Sequence, residues 1–212
     1  VTAMRKSTGR VYLGFNRPKS HFGELLRNHL AQQQGPAMMS WFVVGHHLGL
    51  DHCYNRPGEG GRVLGNVCHW SDFLFHLAPG EKFPIRIRST SVGGGDSDLV
   101  VTLTFADGTV GSITFTAKGE TFEGIREHLS AQRGDLIAWL DDFQKLRTEV
   151  GPRKRTHRLL FRDHGHQRNI VGAYRNAVER LPWDRDEQHA YIANTARLFL
   201  ETKRSVETGE ER

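Results

Sequence analysis

The sequence predicts an α+β domain built on an open, largely antiparallel β-sheet with helices packed on one face. Residues 99–115 give the strongest signal, because two alternating apolar stretches flank an Asp107-Gly108 turn, the pattern of a β-hairpin. Residues 85–90 alternate apolar and polar side chains, as a strand with one wet face does. Residues 170–199 carry two apolar stripes at helical spacing. A strand-rich middle followed by helices indicates the α+β class.

The front of the chain predicts a strand, a helix and a second strand. The apolar residues 11–13 predict a short strand. Apolar residues at helical spacing after Ser20 predict a helix that stops at residues 32–36, which end in Gly-Pro. Residues 38–44 predict the next strand. Residues 45–61 are rich in glycine and polar side chains and predict a long loop, and loops of this length are functional or disordered.

The middle of the chain predicts a helix ahead of the sheet. Residues 64–77 place apolar side chains at helical spacing, and Pro79-Gly80 ends this helix. Three consecutive glycines at residues 93–95 lie between two predicted strands and precede no helix. They therefore predict a flexible connection and not a phosphate-binding turn.

The second half contains one ambiguous stretch. Residues 124–150 have a composition that suits a helix and an alternation that permits strands, and a single sequence does not decide between them. Residues 153–155, Arg-Lys-Arg after Gly-Pro, predict a solvated loop. Residues 170–181 and 191–199 predict the last two helices, and residues 207–212 predict a polar tail.

Composition and charge exclude several classes of protein. With 212 residues, the chain is long enough to bury a core without disulfides. No stretch reaches the roughly 18 apolar residues of a membrane span. Lys and Arg (29) exceed Asp and Glu (24), which gives a net charge of +5, but the basic residues are scattered and form no nucleic-acid motif. We therefore expect neither a membrane nor a nucleic-acid partner.

Cysteine and histidine usage predicts neither disulfides nor a metal centre. Cys53 and Cys68 are the only cysteines, and the chain starts without a secretory signal. We therefore expect it in the reducing cytoplasm. The 12 histidines lack the ligand spacing of a zinc site.

The sequence also lacks the loops that hold nucleotide phosphates. No Gly-x-Gly-x-x-Gly joins a strand to a helix, and no Gly-x-x-x-x-Gly-Lys-Ser/Thr occurs. The serine-hydrolase elbow Gly-x-Ser-x-Gly is absent as well. We therefore expect no nucleotide cofactor to bind to this chain alone.

Four motifs in chain order resemble one family. They are Val-Tyr-Leu-Gly-Phe-Asn-Arg at residues 11–17, Gly-Gly-Arg-Val-Leu-Gly-Asn-Val-Cys-His-Trp-Ser-Asp at 60–72, the hairpin with Phe-Ala-Asp-Gly at 101–113, and Asp-His-Gly-His at 163–166. Together they run over nearly the whole chain. The set resembles the C-terminal part of the Gfo/Idh/MocA family, the glucose-fructose oxidoreductase and inositol dehydrogenase family of NAD(P)-dependent oxidoreductases.

The resemblance implies a divided protein. Residues 1–17 would be the remnant of the end of a Rossmann domain, residues 18–206 the α+β substrate-binding and oligomerisation domain, and residues 207–212 a polar tail. NAD or NADP would bind in the complete enzyme to a Rossmann domain that is missing here or is a separate partner. The resemblance further implies a sugar, cyclitol or nucleotide-sugar substrate and a homo-oligomer formed through the sheet face.

The resemblance also implies catalytic residues on the predicted helix at 64–77. His69 matches the family's acid/base histidine, and Asp72 lies three residues later, where it could orient His69. Gly65 and Val67 stand where the family has aspartate and glycine, which resembles a variant branch with the run Gly-Glu-Val-Cys-His. Asn66 then replaces a glutamate. Because an amide exchanges no proton near neutral pH, Asn66 can orient a substrate but cannot act as the base.

The expected substrate-binding residues lie in several parts of the chain: Asn16, Arg17, Lys19, His52, Tyr54, Asn66 and His166. Each also has a structural interpretation as a turn, surface, packing or helix-capping residue. Two functions stay open at this point. One is the substrate-binding part of an oxidoreductase that is not active alone, and the other is a non-catalytic binding or assembly module that kept the sheet and lost the chemistry.

Overall fold

The computed structural model describes residues 2–6, 8–49, 51–56, 58–119 and 124–212. The α-helices are α1 (Thr2–Lys6), α2 (His21–Ala31), α3 (Cys68–Leu77), α4 (His166–Val178) and α5 (Arg185–Thr208). The strands are β1 (Met38–Val44), β2 (Arg86–Ser91), β3 (Asp98–Thr104), β4 (Val110–Thr116), β5 (Arg126–Arg133), β6 (Leu136–Asp141), β7 (Lys145–Val150) and β8 (Arg153–Arg158). Short 3-10 turns lie at Arg17–Lys19, Cys53–Asn55 and Val92–Gly94, and a π-helical turn at Val63–Val67 runs into α3.

The strands form one sheet in the order β2-β3-β4-β1-β5-β6-β7-β8. Only β1 and β4 pair in parallel, and each of the other neighbouring pairs in this sheet is antiparallel. Helices α2, α3 and α5 contact strands of this sheet. The predicted fold class, an open and largely antiparallel sheet with helices on one face, is therefore confirmed.

The core lies between the sheet and helices α2 and α3. Along β1, Met39, Trp41 and Val43 are buried and alternate with exposed residues, because successive side chains of a strand point to opposite faces. The ring of Trp41 lies 5.1 Å from that of Phe73 on α3. Burial of each large apolar side chain contributes about 1.5–3 kcal/mol. This layer therefore holds α3, which carries the predicted site, firmly on the sheet.

The other face of the sheet is uncovered by helices. Met38 is 53% exposed and Phe42 is 48% exposed, although both are large apolar side chains of the central strand β1. Val100 on β3 and Ile137 on β6 are each 39% exposed. The sheet thus presents an apolar and hydroxyl-rich surface across several strands.

Several predicted elements are confirmed with close boundaries. Strand β1 has the predicted bounds, and β3 and β4 form the predicted hairpin. In its turn, Asp107 accepts hydrogen bonds from the backbone nitrogen (2.9 Å) and the hydroxyl (3.0 Å) of Thr109. Helix α2 begins after Ser20, whose Oγ accepts a hydrogen bond from the nitrogen of Gly23 at 3.0 Å.

Two expectations about strands are corrected. Residues 11–13 form no strand, because no strand of the sheet pairs with them; Tyr12 packs instead near Trp183, with 6.3 Å between the rings. The helix alternative for residues 124–150 is wrong, since this stretch contains strands β5 to β7. Pairing of β5 with β1 satisfies its backbone groups and turns Leu129 into the core.

Two smaller expectations are corrected, and two further segments have a defined structure. Residues 153–155 lie in strand β8 and not in a loop, and their exposed charges are typical of an edge strand. Gly93 and Gly94 lie in the 3-10 turn Val92–Gly94, and Gly95 follows it in an extended conformation. Leu181 lies outside α4, which ends at Val178. The tail is paired: Arg212 exchanges two backbone hydrogen bonds with Ile87 on β2, at 2.7 and 2.9 Å.

Candidate functional site

His69 lies on α3, two residues after the π-helical turn Val63–Val67. Its side chain is half-buried, and its ring packs edge-on against Phe15 with 5.2 Å between the centroids. Nδ1 is buried and has no hydrogen-bond partner among the described residues. A π-turn inserts extra backbone into a helix and changes which side chains share a face, and such turns are frequent at functional sites.

The surroundings of His69 favour its neutral form. Burial is the largest cause that lowers the pKa of His69, which falls to about 4. The charges of Arg17 and His166 act in the same direction, and the carboxylate of Glu127 opposes them. At neutral pH the imidazole is therefore uncharged, which is the form that a general base needs.

Arg17 and Glu127 form a buried ion pair. Arg17 donates through Nε to Oε2 of Glu127 at 2.9 Å and through Nη2 to Oε1. The indole nitrogen of Trp70, next to His69 on α3, donates to the same Oε2 at 2.7 Å. Only 7% of Arg17 and 4% of Glu127 are exposed. Arg17 thus holds this carboxylate in place, as a buried charge pair requires several hydrogen bonds.

The turn before α2 meets the turn before α4 at this point. Asn16 donates through Nδ2 to the carbonyl of His164 at 2.6 Å and lies 3.1 Å from Nε2 of His166. Gly165 permits the approach, because it has φ +82° and a Cβ there would lie 2.2 Å from the carbonyl oxygen of Asn16. His164 Nε2 is 3.7 Å from Oε1 of Glu127, and burial lowers the pKa of His164.

These residues are called the His69 cluster below: Asn16, Arg17, His69, Glu127, His164 and His166. The cluster contains a neutral imidazole, a fixed carboxylate, an amide and the exposed imidazole of His166. Such groups bind hydroxyls and move a proton. The structure therefore brings together the predicted residues Asn16, Arg17, His69 and His166.

The carboxyl group of Asp72 contacts Tyr191 and His76, whereas the sequence predicted a contact with His69. Its side chain is fully buried, Oδ1 accepts a hydrogen bond from the hydroxyl of Tyr191, and Oδ2 lies 3.5 Å from Nδ1 of His76. Asp72 therefore does not orient His69, because α5 places Tyr191 against the carboxyl group instead. Burial raises the pKa of Asp72 to about 7, and the hydrogen bond from Tyr191 and the charge of Arg17 oppose this shift.

His52 and Tyr54 lie against the π-turn and not in the His69 cluster. Their rings are 4.7 Å apart, and Nδ1 of His52 accepts a hydrogen bond from the nitrogen of Tyr54 at 3.2 Å. Tyr54 donates through Oη to the carbonyl of Gly65 at 3.1 Å. A Cβ on Gly65 would lie 2.3 Å from the Tyr54 ring. Tyr54 thus fills the space of the side chain that the resemblance implies at position 65.

Two other predicted residues lie outside the cluster. Asn66 Oδ1 is 3.5 Å from Nη1 of Arg62, a buried residue that donates through Nη2 to the carbonyl of His46 at 2.5 Å. Lys19 is exposed in the 3-10 turn before α2.

Within the described residues, no group of three or more His, Cys, Asp or Glu side chains could hold a metal ion.

Sequence reasoning missed Glu127 and His164. Glu127 lies in the stretch for which helix and strand stayed open, and only the strand register turns its side chain toward Arg17. His164 lies within the Asp-His-Gly-His motif, where only His166 was assigned a role. A buried arginine needs an acidic partner, so the need for an acid beside Arg17 was the signal that could have pointed to Glu127.

The glycine pair before α3 does not fit a dinucleotide. Gly60 and Gly61 have φ of +85° and +67°, and the nitrogen of Arg62 donates to Oδ2 of Asp96 at 2.5 Å. A pyrophosphate binds to free backbone N–H groups at a helix start. Here the carboxylate of Asp96 already accepts from that backbone nitrogen, so this helix start does not offer it to a phosphate.

Comparisons with known proteins agree with this fold. No family model matches the chain, and no curated protein matches its sequence. The structure matches 161 solved chains. A candidate myo-inositol dehydrogenase from Sinorhizobium meliloti matches with a TM-score of 0.71 and 15% identity, over 100% of this chain and 67% of that chain.

Two further solved structures show the same similarity. A candidate NADPH-dependent oxidoreductase from Desulfitobacterium hafniense has a TM-score of 0.72 and 13% identity, over 99% of this chain and 66% of that one. A UDP-N-acetylglucosamine 3-dehydrogenase from Acidithiobacillus ferrooxidans has a TM-score of 0.63 and 14% identity, over 89% and 60%. The resemblance noted in the sequence is thus confirmed in fold, and the chain spans about three fifths to two thirds of these oxidoreductases.

Proposed function

We propose that this chain is the substrate-binding part of an NAD(P)-dependent oxidoreductase that acts on a secondary alcohol of a sugar, cyclitol or nucleotide sugar. The observation that carries the proposal is His69, a neutral imidazole beside the fixed Arg17–Glu127 pair. Solved structures with the same fold include proteins named as an inositol dehydrogenase and a nucleotide-sugar dehydrogenase, which supports the substrate class.

His69 would serve as the general base. Nδ1 is buried, so the proton of the substrate hydroxyl would pass to Nε2 as the carbon–hydrogen bond breaks. The imidazolium that forms is favoured by the carboxylate of Glu127, which Arg17 and Trp70 hold in place. Asn16 and His166 would orient the other hydroxyls of the ring.

The nicotinamide cofactor would supply the hydride acceptor in the complete enzyme. The glycine turn before α3 does not fit its phosphates, because Asp96 already accepts from the helix start. We therefore propose that a Rossmann domain holds the cofactor, either on the same polypeptide or as a separate partner. In this arrangement residues 1–17 belong to that domain, residues 18–206 form the substrate domain and residues 207–212 the tail.

Assembly and location complete the proposal. Copies of the chain would associate through the uncovered face of the sheet, where Phe42 and Met38 are about half exposed. We propose the cytoplasm as the compartment, on the two free cysteines Cys53 and Cys68. Among the described residues, no helix combines the length and the hydropathy that crossing a membrane requires.

A non-catalytic binding or assembly module is the second candidate function. The ring of Tyr54 over Gly65 favours it, because no acid side chain fits at that position. Asp72 favours it too, since its carboxyl group is engaged by Tyr191 and not by His69. In such a module the His69 cluster stabilises the fold and transfers no proton.

Dehydrogenase activity of the full gene product separates the two candidates. Reduction of NAD+ or NADP+ is measured with a panel of cyclitols, monosaccharides and UDP-sugars. We expect turnover with at least one of them, and we expect His69→Gln to lower kcat by roughly 100-fold to 10,000-fold with a smaller effect on KM.

The matched control is His29→Gln, which removes another half-buried histidine whose pKa is lowered by burial. It should leave kcat unchanged. A folded gene product without turnover on the whole panel would favour the assembly module. Turnover that survives in His69→Gln would reject His69 as the base.

A further inference from the structure

A cleft of about 700 Å³ lies between the turn before α2, the end of α3, and helices α4 and α5. Its volume falls within the range of about 300–1,000 Å³ of small-ligand sites. His69 is not among its lining residues, whereas Phe15, which packs edge-on against His69, is. The cleft is therefore separate from the His69 cluster.

One end of the cleft is basic. Lys19, His76 and Lys82 line it, and the charges of Lys19, Lys82 and Arg27 all act on His76. The ammonium group of Lys82 lies 5.2 Å from the ring centre of Phe75, which fixes its place at this end. Burial and these charges lower the pKa of His76 to about 4, so two ammonium groups and a neutral imidazole lie at this end.

The buried carboxyl group of Asp72 stands behind His76. Oδ2 of Asp72 has no hydrogen-bond partner among the described residues and lies 3.5 Å from Nδ1 of His76. Tyr191, which donates to Oδ1, also lines the cleft. The carboxylate that acts on Lys82 at the basic end is Asp107. The backbone carbonyl of Asp72 lies 2.9 Å from the same Nδ1 of His76.

The opposite end is aromatic and acidic. Trp183, Asp184 and Glu187 line it at the start of α5, about 10 Å along the helix from Tyr191. Trp183 lies 6.3 Å from Tyr12, ring to ring. The indole nitrogen of Trp183 and the hydroxyl of Tyr12 are buried without a hydrogen-bond partner among the described residues. Such groups in a native structure call for a partner.

The arrangement discriminates between classes of small ligand. A phosphate monoester has three terminal oxygens that can accept hydrogen bonds from both Lys19 and Lys82, whereas a carboxylate has two. Aromatic faces suit the apolar face of a sugar ring, and the carboxylates of Asp184 and Glu187 accept hydrogen bonds from hydroxyls. A rim ion pair, Glu24 with Arg168 at 3.5 Å, is already neutralised within the protein.

We propose that this cleft binds a sugar phosphate, with the phosphate at Lys19 and Lys82 and the ring against Tyr12 and Trp183. The site is additional to the proposed dehydrogenase site. Its occupant touches α3, α4, α5 and the turn before α2 together.

Nuclear magnetic resonance on the full chain tests the proposal. Glucose 6-phosphate, glucose and inorganic phosphate are titrated separately while the indole N–H signal of Trp183 is followed, assigned with Trp183→Phe. We expect glucose 6-phosphate to shift this signal and to bind about tenfold or more tightly than either fragment. Lys19→Met and Lys82→Gln should each weaken its binding by about tenfold, the effect of one hydrogen bond to a charged group.

Two further variants make the outcome decisive. Lys145→Met, which removes the same charge from strand β7, should leave the Kd unchanged, and so should His69→Gln, which tests the dehydrogenase site only. A Trp183 signal that stays unshifted at millimolar glucose 6-phosphate would overturn the proposal. The proposal would also be overturned if Lys145→Met weakened binding of glucose 6-phosphate as much as Lys19→Met does. Equal affinities for inorganic phosphate and glucose 6-phosphate would overturn it too. Either result would mean an adventitious ion only.

Discussion

Tyr54 and Gly65 meet where the π-helical turn faces the long loop of residues 45–61. The ring of Tyr54 covers Gly65, and its hydroxyl donates to the carbonyl of that residue at 3.1 Å. Burial raises the pKa of Tyr54, so the phenol stays a neutral donor. Glycine is required at position 65 because a Cβ there would lie 2.3 Å from the ring of Tyr54. The backbone conformation does not require it, since the φ of Gly65 is not left-handed.

Gly65→Ala is therefore expected to destabilise the fold by about 1–3 kcal/mol, the usual cost of overpacking. The free energy of unfolding in urea measures it. Gly172 on α4 has open space where a Cβ would lie, so Gly172→Ala should stabilise by about 0.5–1 kcal/mol. In a Tyr54→Ala background the cost of Gly65→Ala should shrink, because the two residues are in contact. Equal costs in both backgrounds would contradict this explanation.

The buried carboxyl group of Asp72 predicts a pH dependence of stability. Its pKa is raised from 3.8 to about 7, chiefly by burial. Between these values the folded protein keeps a proton that the unfolded chain has released, so the free energy of unfolding falls as the pH rises through this range. Asp72→Asn is neutral at every pH and lacks this component.

Urea unfolding across this range should therefore show wild type losing stability relative to Asp72→Asn as the pH increases from about 4 to about 7. Tyr191→Phe removes the hydrogen bond that lowers the pKa of Asp72, so its loss of stability should extend to higher pH. Parallel curves for wild type and Asp72→Asn would show that the carboxyl group does not titrate in this window.

At the scale of single elements, the start of the helix that carries His69 is already occupied by a carboxylate. The nitrogen of Arg62 donates to Oδ2 of Asp96, and a Cβ on Gly61 would lie 2.2 Å from the same oxygen. A carboxylate thus neutralises the positive end of the helix, where a pyrophosphate would bind. Like charges repel, so this element disfavours phosphate.

The chain by itself is accordingly expected to bind neither NAD(H) nor NADP(H). Titration calorimetry at micromolar to millimolar cofactor should show no heat above dilution. Micromolar affinity would refute this prediction and would show that other backbone groups hold the phosphates. Asp96→Asn keeps a hydrogen-bond acceptor without the charge, and it should also show no binding heat because no preceding strand and glycine turn cradle the cofactor.

Turn chemistry explains which elements could be predicted from the sequence. The hairpin of β3 and β4 is defined locally by Asp107 and Gly108, and α2 by its cap Ser20. Residues 124–150 do contain a turn pair, Gly134-Asp135, which joins β5 to β6, but the place of β5 in the sheet depends on β1, which lies far away in sequence. Residues 11–13 have a strand-like composition but no partner to pair with.

In the candidate site too, residues in local motifs could be predicted from the sequence, and contacts between distant residues could not. His69 and Asn16 could be identified because each lies in a local motif. The partners of Asp72 could not, since Tyr191 lies 119 residues away and reaches it only when α5 packs on α3. Glu127 required the register of β5, and a shift by one residue would turn it to the other face.

At the scale of the whole molecule, the sheet has one covered and one uncovered face. The edge at β8 is protected by exposed charges, and the edge at β2 is paired with Arg212. The uncovered face offers Phe42 and Met38 next to hydroxyl side chains. A second apolar surface lies on α4, where Ile170 and Tyr174 are 68% and 67% exposed. Exposed apolar side chains that lie together on one face can mark an interaction surface.

We expect copies of the chain to associate through the uncovered sheet face, where the outward residues of β1 and the middle of β3 and β4 are apolar or carry hydroxyl groups. Thr102→Lys with Thr114→Lys would place two ammonium groups in that interface, and burying unpaired charges costs several kcal/mol. Sedimentation at tens of micromolar should therefore show an oligomer for wild type and a monomer for this double variant. Ile170→Lys with Tyr174→Lys is the matched control on α4 and should leave the oligomer intact. Dissociation by the α4 pair alone would assign the interface to α4, and a monomeric wild type would exclude association through either surface at these concentrations.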